Sequence, residues 1–449
     1  MSPTSTSPSI ENCNNSPRNF CALLQTTEIT GLDIGSIDWW QTIERIGTPI
    51  VIDQCDGNAA VIFLWRQPEV NAPKAVYIAI NGIIDHHKLN AAQFVQYQNS
   101  DVYYFIQIIP SYWAGSYSLI PVDKNGLQPT YYGTAQEVIL QHREWLVARW
   151  KKHIADPLHL ANLHACPWGI TQSPLYLSKA QPPLAWRDFD QLHGQHTPKN
   201  KVEKRSIPSS GREISDGEKR DIWIYSTAND TAEDLPLVVL LDGQIWAKEL
   251  PIFSALDVCT TQQWLPSAVY VMIDAVSQTQ RGHDLCCNLN FWQHIQQSVL
   301  DELEDRFSLS QNPARRIVVG QSYGGLAAMY VATRMPKQFG AVVAQSGSFW
   351  WPDDNLVRLP ENRAKIPPLP DVLAIEKDIL SMPPNHAMNV FLEVGECEGV
   401  MVSLTDRVAD SLAANQHTVT KQYFYGGHDR LRWRSGIIEG LIWHLNRET

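Results

Sequence analysis

A pentapeptide of the form Gly-x-Ser-x-Gly lies in the chain between a short apolar run and a run of small residues. The run before it, residues 315–319, ends in three β-branched residues and is typical of a buried parallel strand, and residues 325–332 favour a helix. Strand, sharp turn and helix in this order form a nucleophile elbow. We expect glycine at its first and last positions because side chains there would strike the neighbouring strand and helix. The pentapeptide alone is a weak signal, but this setting predicts a serine hydrolase with Ser322 as nucleophile.

Length, charge and cysteine content narrow the class of protein. The chain has 449 residues, enough for two domains, and a formal net charge of -11, which argues against nucleic acid or an anionic membrane as the main partner. Its eight cysteines show no Cys-x-x-Cys pair, so we expect reduced thiols. Residues 1–19 lack the apolar core of a signal peptide, and no apolar run is long enough to cross a bilayer. We therefore expect a cytoplasmic protein.

The N-terminal half reads as short strands. Residues 1–25 are polar and punctuated by proline, and we expect them to be disordered. Residues 26–165 carry short apolar or aromatic runs separated by turn residues, without clear helices until residue 134. This pattern predicts a small β-sandwich domain. The predicted strands are residues 59–65, 75–80, 102–109 and 115–120.

Residues 166–215 read as a linker and edge segment. They are rich in Pro, Ser, Gly and charged residues, with a basic run at residues 199–205. The favoured interpretation of this basic run is a solvated linker or sheet edge, and the alternative is a basic ligand-binding patch.

Residues 216–449 alternate between predicted strands and helices. Apolar residues repeat every four positions from Phe291 to Phe307, which indicates an amphipathic helix. Alternating strands and helices predict a mostly parallel sheet with helices on both faces, here an α/β-hydrolase domain. The predicted strands are residues 222–225, 237–241, 269–273, 317–319, 341–344, 390–392 and 421–425.

The serine needs a base and an acid, which in this fold follow it along the chain on loops after later strands. His428 comes after the last predicted strand and two glycines, and is the predicted base. The acid is expected after the preceding strand, where Glu398 is preferred and Glu396 is a rival. It would fix the imidazole tautomer and stabilise the imidazolium. The alternative is that both glutamates are solvated loop residues.

An oxyanion hole needs two backbone N–H groups. One is predicted from Tyr323, directly after the nucleophile. The second is predicted from Gly243, in the turn after the strand at residues 237–241, where glycine would allow the backbone to approach the substrate. The alternative is that Asp242 and Gly243 form an ordinary strand-end turn.

The chain resembles the enterochelin (enterobactin) esterase family over nearly its whole length. The resemblance rests on motifs in both halves, and those around Arg281 and the run Ser-Gly-Ser-Phe-Trp-Trp are more specific than the pentapeptide. It implies an immunoglobulin-like N-terminal β-sandwich, hydrolysis of the trilactone of ferric catecholate siderophores, and Glu398 rather than Glu396 as the acid. The motifs are residues 39–40, 47–49, 63–66, 115–117, 240–244, 273–275, 281–288, 320–325, 345–352, 426–429 and 433–434.

A ferric tris-catecholate is anionic and flat-sided, so the resemblance implies cations and aromatic walls around it. Arg281 and Arg434 are the predicted cations, and Trp350 and Trp351 are the predicted walls. For each of the four, a structural salt bridge or core packing is an equally weighted alternative. No metal site or cofactor is expected in the protein, because iron would enter only as part of the substrate.

Two other functions compete with this interpretation. One is an esterase acting on feruloyl or acetyl groups of carbohydrates, since the same fold with a sandwich module serves there. The absence of a recognisable signal peptide counts against an extracellular polysaccharide substrate. The other is a non-catalytic, hydrolase-like binding protein, against which the intact order of serine, carboxylate and histidine argues.

Overall fold

The computed structural model describes residues 15–85, 92–160, 164–165, 171–180, 183–191, 197–209, 219–229, 231–358, 369–383 and 385–446. The chain divides into two compact units. The N-terminal unit comprises Met1–Tyr132 with Gln141–Pro182, and the C-terminal unit comprises Gly133–Leu140 with Pro183–Thr449.

The N-terminal unit holds two sheets, each of four strands within the described residues. The predicted strands all form, and each pairs antiparallel with its neighbours. Phe63 of one sheet meets Tyr117 of the other edge to face, with ring centroids 4.8 Å apart, so apolar faces of the two sheets pack together. One sheet has the order β1 (Ile50–Asp53), β2 (Asn58–Arg66), β5 (Val102–Pro110), β4 (Val95–Gln96), and the other β3 (Ala75–Ile80), β6 (Ala114–Val122), β8 (Thr171–Tyr176), β7 (His164–Ala165).

The N-terminal boundaries differ from the predicted ones. Helix α1 (Pro17–Leu24) forms inside the segment predicted to be disordered, because Ser16 caps it and Phe20 stacks on Tyr104 at 4.1 Å. The prediction for residues 1–14 lies outside the described residues. Strand β8 falls in the predicted linker and pairs with β6. Helices α2 (Ile37–Ile46) and α3 (Ala135–Val147) follow in the chain.

The C-terminal unit is built on a mixed sheet of eight strands within the described residues. Six neighbouring strands of this sheet are parallel. Two further strands, β10 (Lys219–Ser226) and β9 (Glu203–Pro208), add antiparallel at one side, so the predicted α/β class and its strands are confirmed. Strand β9 shows that part of the predicted linker is a sheet edge. The order is β16 (Thr418–Phe424), β15 (Asn389–Gly395), β14 (Ala341–Gln345), β13 (Arg316–Gln321), β11 (Leu237–Leu240), β12 (Val269–Ile273), β10 (Lys219–Ser226), β9 (Glu203–Pro208).

Helices cover both faces of this sheet. Alternate strand residues point to opposite faces, so Val239 and Val318 pack on one side while Val238 and Val319 pack on the other. The predicted helix from 291 to 307 forms as two helices, α7 (Leu289–Ile295) and α8 (Asp301–Arg306), joined by a π-helical turn, Gln296–Leu300. The helices are α4 (Arg187–Gln191), α5 (Phe253–Thr261), α6 (Gln278–Leu285), α7 (Leu289–Ile295), α8 (Asp301–Arg306), α9 (Tyr323–Arg334), α10 (Asn355–Arg358), α11 (Ala374–Leu380), α12 (Val400–Ala414) and α13 (Arg430–Leu445).

Parallel strands end at the same edge of a sheet, and this fixes where polar side chains meet. The turns after β11, β13, β14, β15 and β16 all lie at one edge, since these strands are neighbours and parallel. Four of these turns carry predicted catalytic or oxyanion residues. The fifth, after β14, begins with Ser346.

Candidate active site

Ser322 lies in the sharp turn between β13 and α9. Its backbone has φ 58° and ψ -119°, a strained conformation for a residue with a side chain and typical of a nucleophile elbow. A Cβ at Gly320 would lie 2.1 Å from the carbonyl oxygen of Gly324, so a side chain at position 320 is excluded. The expectation of a clash at 324 is wrong, because a Cβ there would meet its nearest atoms only at 3.5 Å.

The residues predicted as base and acid are in contact. Nδ1 of His428 lies 2.7 Å from Oε2 of Glu398. The glutamate side chain is 4% exposed and the imidazole 41%, so the carboxylate is held inside while the ring faces solvent. Glu396, the rival acid, is exposed. The contact gives Glu398 the geometry of an orienting acid.

The second carboxylate oxygen of Glu398, Oε1, is held by hydrogen bonds. It accepts hydrogen bonds from the Ser346 hydroxyl at 2.6 Å and from the Gly395 N–H at 2.8 Å. The indole Nε1 of Trp433 donates to the Ser346 oxygen at 3.0 Å. The same indole meets the His428 ring edge to face, with centroids 4.6 Å apart. Two side chains that the sequence did not single out as catalytic therefore surround the carboxylate and imidazole.

The turn after β14 also touches the nucleophile. The Oγ atoms of Ser322 and Ser348 are 3.4 Å apart. The Ser322 N–H donates to the Gln345 carbonyl at 3.0 Å, and the Ser348 N–H donates to the Ser322 carbonyl at 2.9 Å. This turn thus fixes the elbow through backbone bonds on both sides of the serine.

Beneath the elbow runs a buried chain of polar side chains. Trp246 donates to Gln321 at 3.2 Å, Gln321 donates to Gln345 at 2.9 Å, and Gln345 donates to Glu393. Glu393 is fully buried, and loss of hydration raises the pKa of its carboxyl to about 8, although Arg432 and the Gln345 amide oppose the shift. Around neutral pH this carboxyl is therefore largely protonated. It is a neutral part of the scaffold rather than a second catalytic anion.

The turn after β11 carries the predicted second oxyanion donor. Asp242 has φ 54°, and a Cβ at Gly243 would lie 2.4 Å from the backbone nitrogen of Ile273 in β12. Glycine is thus required here by the neighbouring strand, rather than only by approach of a substrate. The Tyr323 N–H begins helix α9, where the helix dipole favours negative charge. The oxyanion roles of Tyr323 and Gly243 stay predictions.

Arg281 is bonded to the protein around this turn. Its guanidinium makes a two-point ion pair with Asp242, at 2.5 and 2.7 Å, and donates to the Gln321 carbonyl at 3.2 Å. It also lies over the Tyr323 ring, 5.6 Å from the centroid, and its side chain is 15% exposed. These contacts join the two turns that would form an oxyanion hole. They favour the structural alternative over recognition of a charged substrate.

The substrate-binding prediction for Arg434 is wrong. Its side chain is 0% exposed and is paired at 2.7 Å with Asp190, and its guanidinium lies over the Trp186 ring at 5.0 Å. The residue follows the His428 loop in sequence, but its position on α13 directs its side chain into the core. Arg434 is a structural residue.

Of the two predicted aromatic walls, Trp350 lies beside the turn that carries the nucleophile. Trp350 and Trp351 are both partly exposed, and the Trp350 ring lies 5.6 Å from that of Tyr323, next to the nucleophile. Their role as walls for a ligand stays a prediction. In the part of the chain that the structure describes, no three His, Cys, Asp or Glu side chains form a group that could hold a metal ion. None of the described helices is long and apolar enough to cross a membrane.

Comparison with known proteins identifies the family. The model of the enterochelin esterase N-terminal family matches residues 60–186, and that of a putative esterase family matches residues 215–444. The chain is 34% identical to the iron(III) enterobactin esterase of Dickeya dadantii over 434 residues, which is 96% of either chain. The chain belongs to the enterochelin esterase family. It is therefore a carboxylic-ester hydrolase.

Other members of the enterochelin esterase family are similar over comparable lengths. The iron(III) enterobactin esterase of Escherichia coli K12 is 31% identical, with 92% of this chain and 97% of the relative covered. The crystal structure of the ferric enterobactin esterase from Salmonella typhimurium matches with a TM-score of 0.77 at 30% identity, covering 91% of this chain and 98% of that one. The enterobactin esterase of Shigella flexneri, crystallised in the presence of enterobactin, matches with a TM-score of 0.76 at 29% identity, covering 92% and 99%.

For this enterochelin esterase family chain, the sequence predicts Ser322, Glu398 and His428 but not the side chains that contact them. Ser346 and Ser348 belong to the motif in which Trp350 and Trp351 are the predicted walls, and Trp433 belongs to the motif in which Arg434 is the predicted cation. The sequence does hold a usable signal. Ser346 and Ser348 closely follow the predicted strand at residues 341–344, which is the next predicted strand after the one that precedes Ser322. Neighbouring parallel strands place such residues beside the nucleophile.

Proposed function

We propose that the protein hydrolyses the ester bonds of ferric enterobactin-type catecholate siderophores by a serine mechanism and so promotes release of iron. The observation that carries the mechanism is the 2.7 Å contact between Glu398 and His428 at the sheet edge where Ser322 also lies. The substrate is supported by relatives that are named iron(III) enterobactin esterases and that extend over nearly the whole chain.

In the proposed reaction, Ser322 attacks the carbonyl carbon of an ester while His428 takes its proton. Glu398 keeps Nδ1 protonated and stabilises the imidazolium that forms. The carbonyl oxygen becomes an oxyanion, which the N–H groups of Tyr323 and Gly243 stabilise. His428 then protonates the leaving alkoxide, and an acyl-enzyme remains on Ser322. Water, activated by the same imidazole, releases the acid and restores the serine.

Iron enters this reaction as part of the substrate, and the proposal includes no resident metal or cofactor. Trp350 lies beside Tyr323, and Trp350 and Trp351 are both partly exposed, which suits contact with flat catechol rings. Arg281 contributes less as a free charge because Asp242 already neutralises it.

The two further parts of the proposal concern location and the N-terminal unit. We expect the protein to act in the cytoplasm, and no disulfide joins the cysteines among the described residues, as is usual there. Cell fractionation with antibody detection tests this. We also propose an immunoglobulin-like sandwich for the N-terminal unit, which its two packed antiparallel sheets support.

The function is tested by incubating the purified protein with ferric and with iron-free enterobactin and separating the products by chromatography. We expect dihydroxybenzoylserine and its linear oligomers from wild type and none above background from Ser322→Ala. A neutral ester, p-nitrophenyl butyrate, serves as a general esterase substrate in parallel. Turnover of the small ester without cleavage of enterobactin would reject the substrate and keep the serine mechanism. Near-normal turnover by Ser322→Ala would reject the mechanism.

A further inference from the structure

We propose that Ser346 is a positioning residue of the reaction: its hydroxyl, anchored by the Trp433 indole, fixes Glu398 so that Oε2 is always presented to His428. The inference rests on the proposed serine mechanism, in which Glu398 orients the base. It concerns a side chain in the turn after β14, outside the predicted triad and oxyanion hole.

The direction of the hydrogen bonds follows from the groups involved. An indole N–H can only donate, so the bond from Trp433 occupies a lone pair of the Ser346 oxygen. The hydroxyl proton of Ser346 is then free to donate to Glu398, which as a carboxylate can only accept. The hydroxyl thus has a defined orientation, with its proton directed at Oε1. No other orientation of the hydroxyl proton satisfies the indole donor and the carboxylate acceptor together.

The two oxygens of Glu398 therefore have separate tasks. Oε1 accepts from Ser346 and from the Gly395 N–H, both within the protein scaffold. Oε2 accepts from Nδ1 of His428. Without the Ser346 hydroxyl, the Gly395 N–H alone would hold Oε1, and the carboxylate could rotate about its last side-chain bond. The imidazole would then lose a fixed acceptor.

Backbone geometry indicates that Ser346 is held in place for this purpose. The residue is fully buried and has φ 47°, a conformation that residues with a side chain rarely adopt. Its N–H donates to the Glu393 carbonyl at 2.7 Å, which ties the turn to strand β15 just before the acid loop. Such strain persists where the surrounding structure over-determines it, often beside an active site.

The anchor also contacts the base. The Trp433 ring meets His428 edge to face at 4.6 Å, while its N–H reaches Ser346. One side chain of α13 thus contacts the imidazole directly and the carboxylate through Ser346. The contacts form a closed ring of four residues: Trp433 contacts Ser346, Ser346 contacts Glu398, Glu398 contacts His428, and His428 contacts Trp433.

The test is a double-mutant cycle measured with p-nitrophenyl butyrate and with ferric enterobactin. Ser346→Ala should lower kcat about 10- to 100-fold with KM changed less than about threefold, because binding groups are untouched. In a Glu398→Gln background the same change should lower kcat less than about threefold, because the group on which Ser346 acts is already altered. The rate at which a fluorophosphonate labels Ser322 should follow the same pattern.

A matched control and a second variant complete the test. Ser254→Ala removes another buried serine hydroxyl, on α5, that has no hydrogen-bond partner among the described residues, and should leave kcat near wild type. Trp433→Phe removes the indole donor but keeps a ring beside His428, and should lower kcat about 3- to 10-fold, again less in the Glu398→Gln background. This variant carries the test if Ser346→Ala does not fold, as judged by its thermal midpoint.

The outcomes separate this inference from the proposed function. Wild-type kcat in Ser346→Ala, or equal losses with and without Glu398→Gln, would overturn the positioning role while an inactive Ser322→Ala still supports the serine mechanism. An active Ser322→Ala would overturn the mechanism, and the positioning role with it. A loss that disappears in the Glu398→Gln background supports both.

Discussion

A Cβ on Gly395 would lie 2.4 Å from the carbonyl oxygen of Gly426. Gly395 is the last residue of β15 and precedes the acid loop, and Gly426 lies in the loop that carries His428. The Cys397 N–H donates to the same carbonyl at 3.0 Å. The loops that carry Glu398 and His428 are therefore in backbone contact, and this contact brings the carboxylate of one to the imidazole of the other.

Gly395→Ala should separate these loops. The added methyl group would meet the Gly426 backbone and would also lie 2.9 Å from Oε1 of Glu398. We therefore expect kcat to fall at least about 10-fold and the protein to lose roughly 1–3 kcal/mol of stability. Ester hydrolysis and urea unfolding measure the two effects. Gly282→Ala is the matched control, because a Cβ there meets nothing within 4 Å. A Gly395→Ala variant with wild-type kcat would show that the loop contact does not position the acid.

The triad assignment predicts a ranking of variants. Ser322→Ala and His428→Ala should lower kcat by on the order of 10⁴ or more, and Glu398→Gln by about 10² to 10⁴. Glu396→Gln should have little effect because this side chain is exposed. Steady-state kinetics of the four variants, with circular dichroism to check folding, measure the ranking. A larger loss in Glu396→Gln than in Glu398→Gln would transfer the orienting role.

Arg281 is expected to act through the oxyanion turn rather than through substrate charge. Arg281→Ala breaks its bonds to Asp242 and to the Gln321 carbonyl, so kcat/KM should fall by a similar factor, roughly 10- to 100-fold, for ferric enterobactin and for p-nitrophenyl butyrate. The loss should not shrink as salt rises, since the pair is mostly buried. A loss confined to the anionic substrate would instead restore the recognition role.

How far the sequence predicts this structure depends on the range over which each signal acts. The elbow at Ser322, the strands and the order of His428 and Glu398 were predictable because a strand, its turn and the next residues are local in the chain. The sequence favours Glu398 over Glu396 as the acid but does not decide between them, since both follow the same strand. The contact with His428 distinguishes them.

The direction in which long side chains point was less predictable. Arg434 lies six residues after His428, yet the helix that begins at Arg430 turns it to Asp190, far away in sequence. Arg281 likewise finds its partner in a turn that precedes it by 39 residues. Such pairings depend on how helices pack on the sheet, which periodicity does not specify. Helix α1 was missed because its stability comes from packing of Phe20 rather than from its own composition.

Glu393 makes the stability of the C-terminal unit depend on pH. Burial raises the pKa of its carboxyl from 4.5 to about 8 in the folded protein, whereas the unfolded chain keeps the ordinary value. Between about pH 4.5 and pH 8 the folded state therefore binds more protons than the unfolded state at this site. Stability should fall as pH rises through this window, by at most about 1.4 kcal/mol per pH unit from this group.

Glu393→Gln tests this, because the amide resembles the neutral acid in shape and cannot titrate. Urea unfolding midpoints measured from pH 5 to pH 8 should fall less steeply for the variant than for wild type. The midpoint of wild type should therefore decrease relative to that of the variant as pH rises. Glu233→Gln, at an exposed position, controls for the loss of one carboxylate. Parallel curves for wild type and Glu393→Gln would mean that Glu393 is ionised in the folded protein near neutral pH. The Gln345 amide and Arg432 would then have to stabilise a buried anion, and the series of buried polar side chains beneath Ser322 would carry a negative charge.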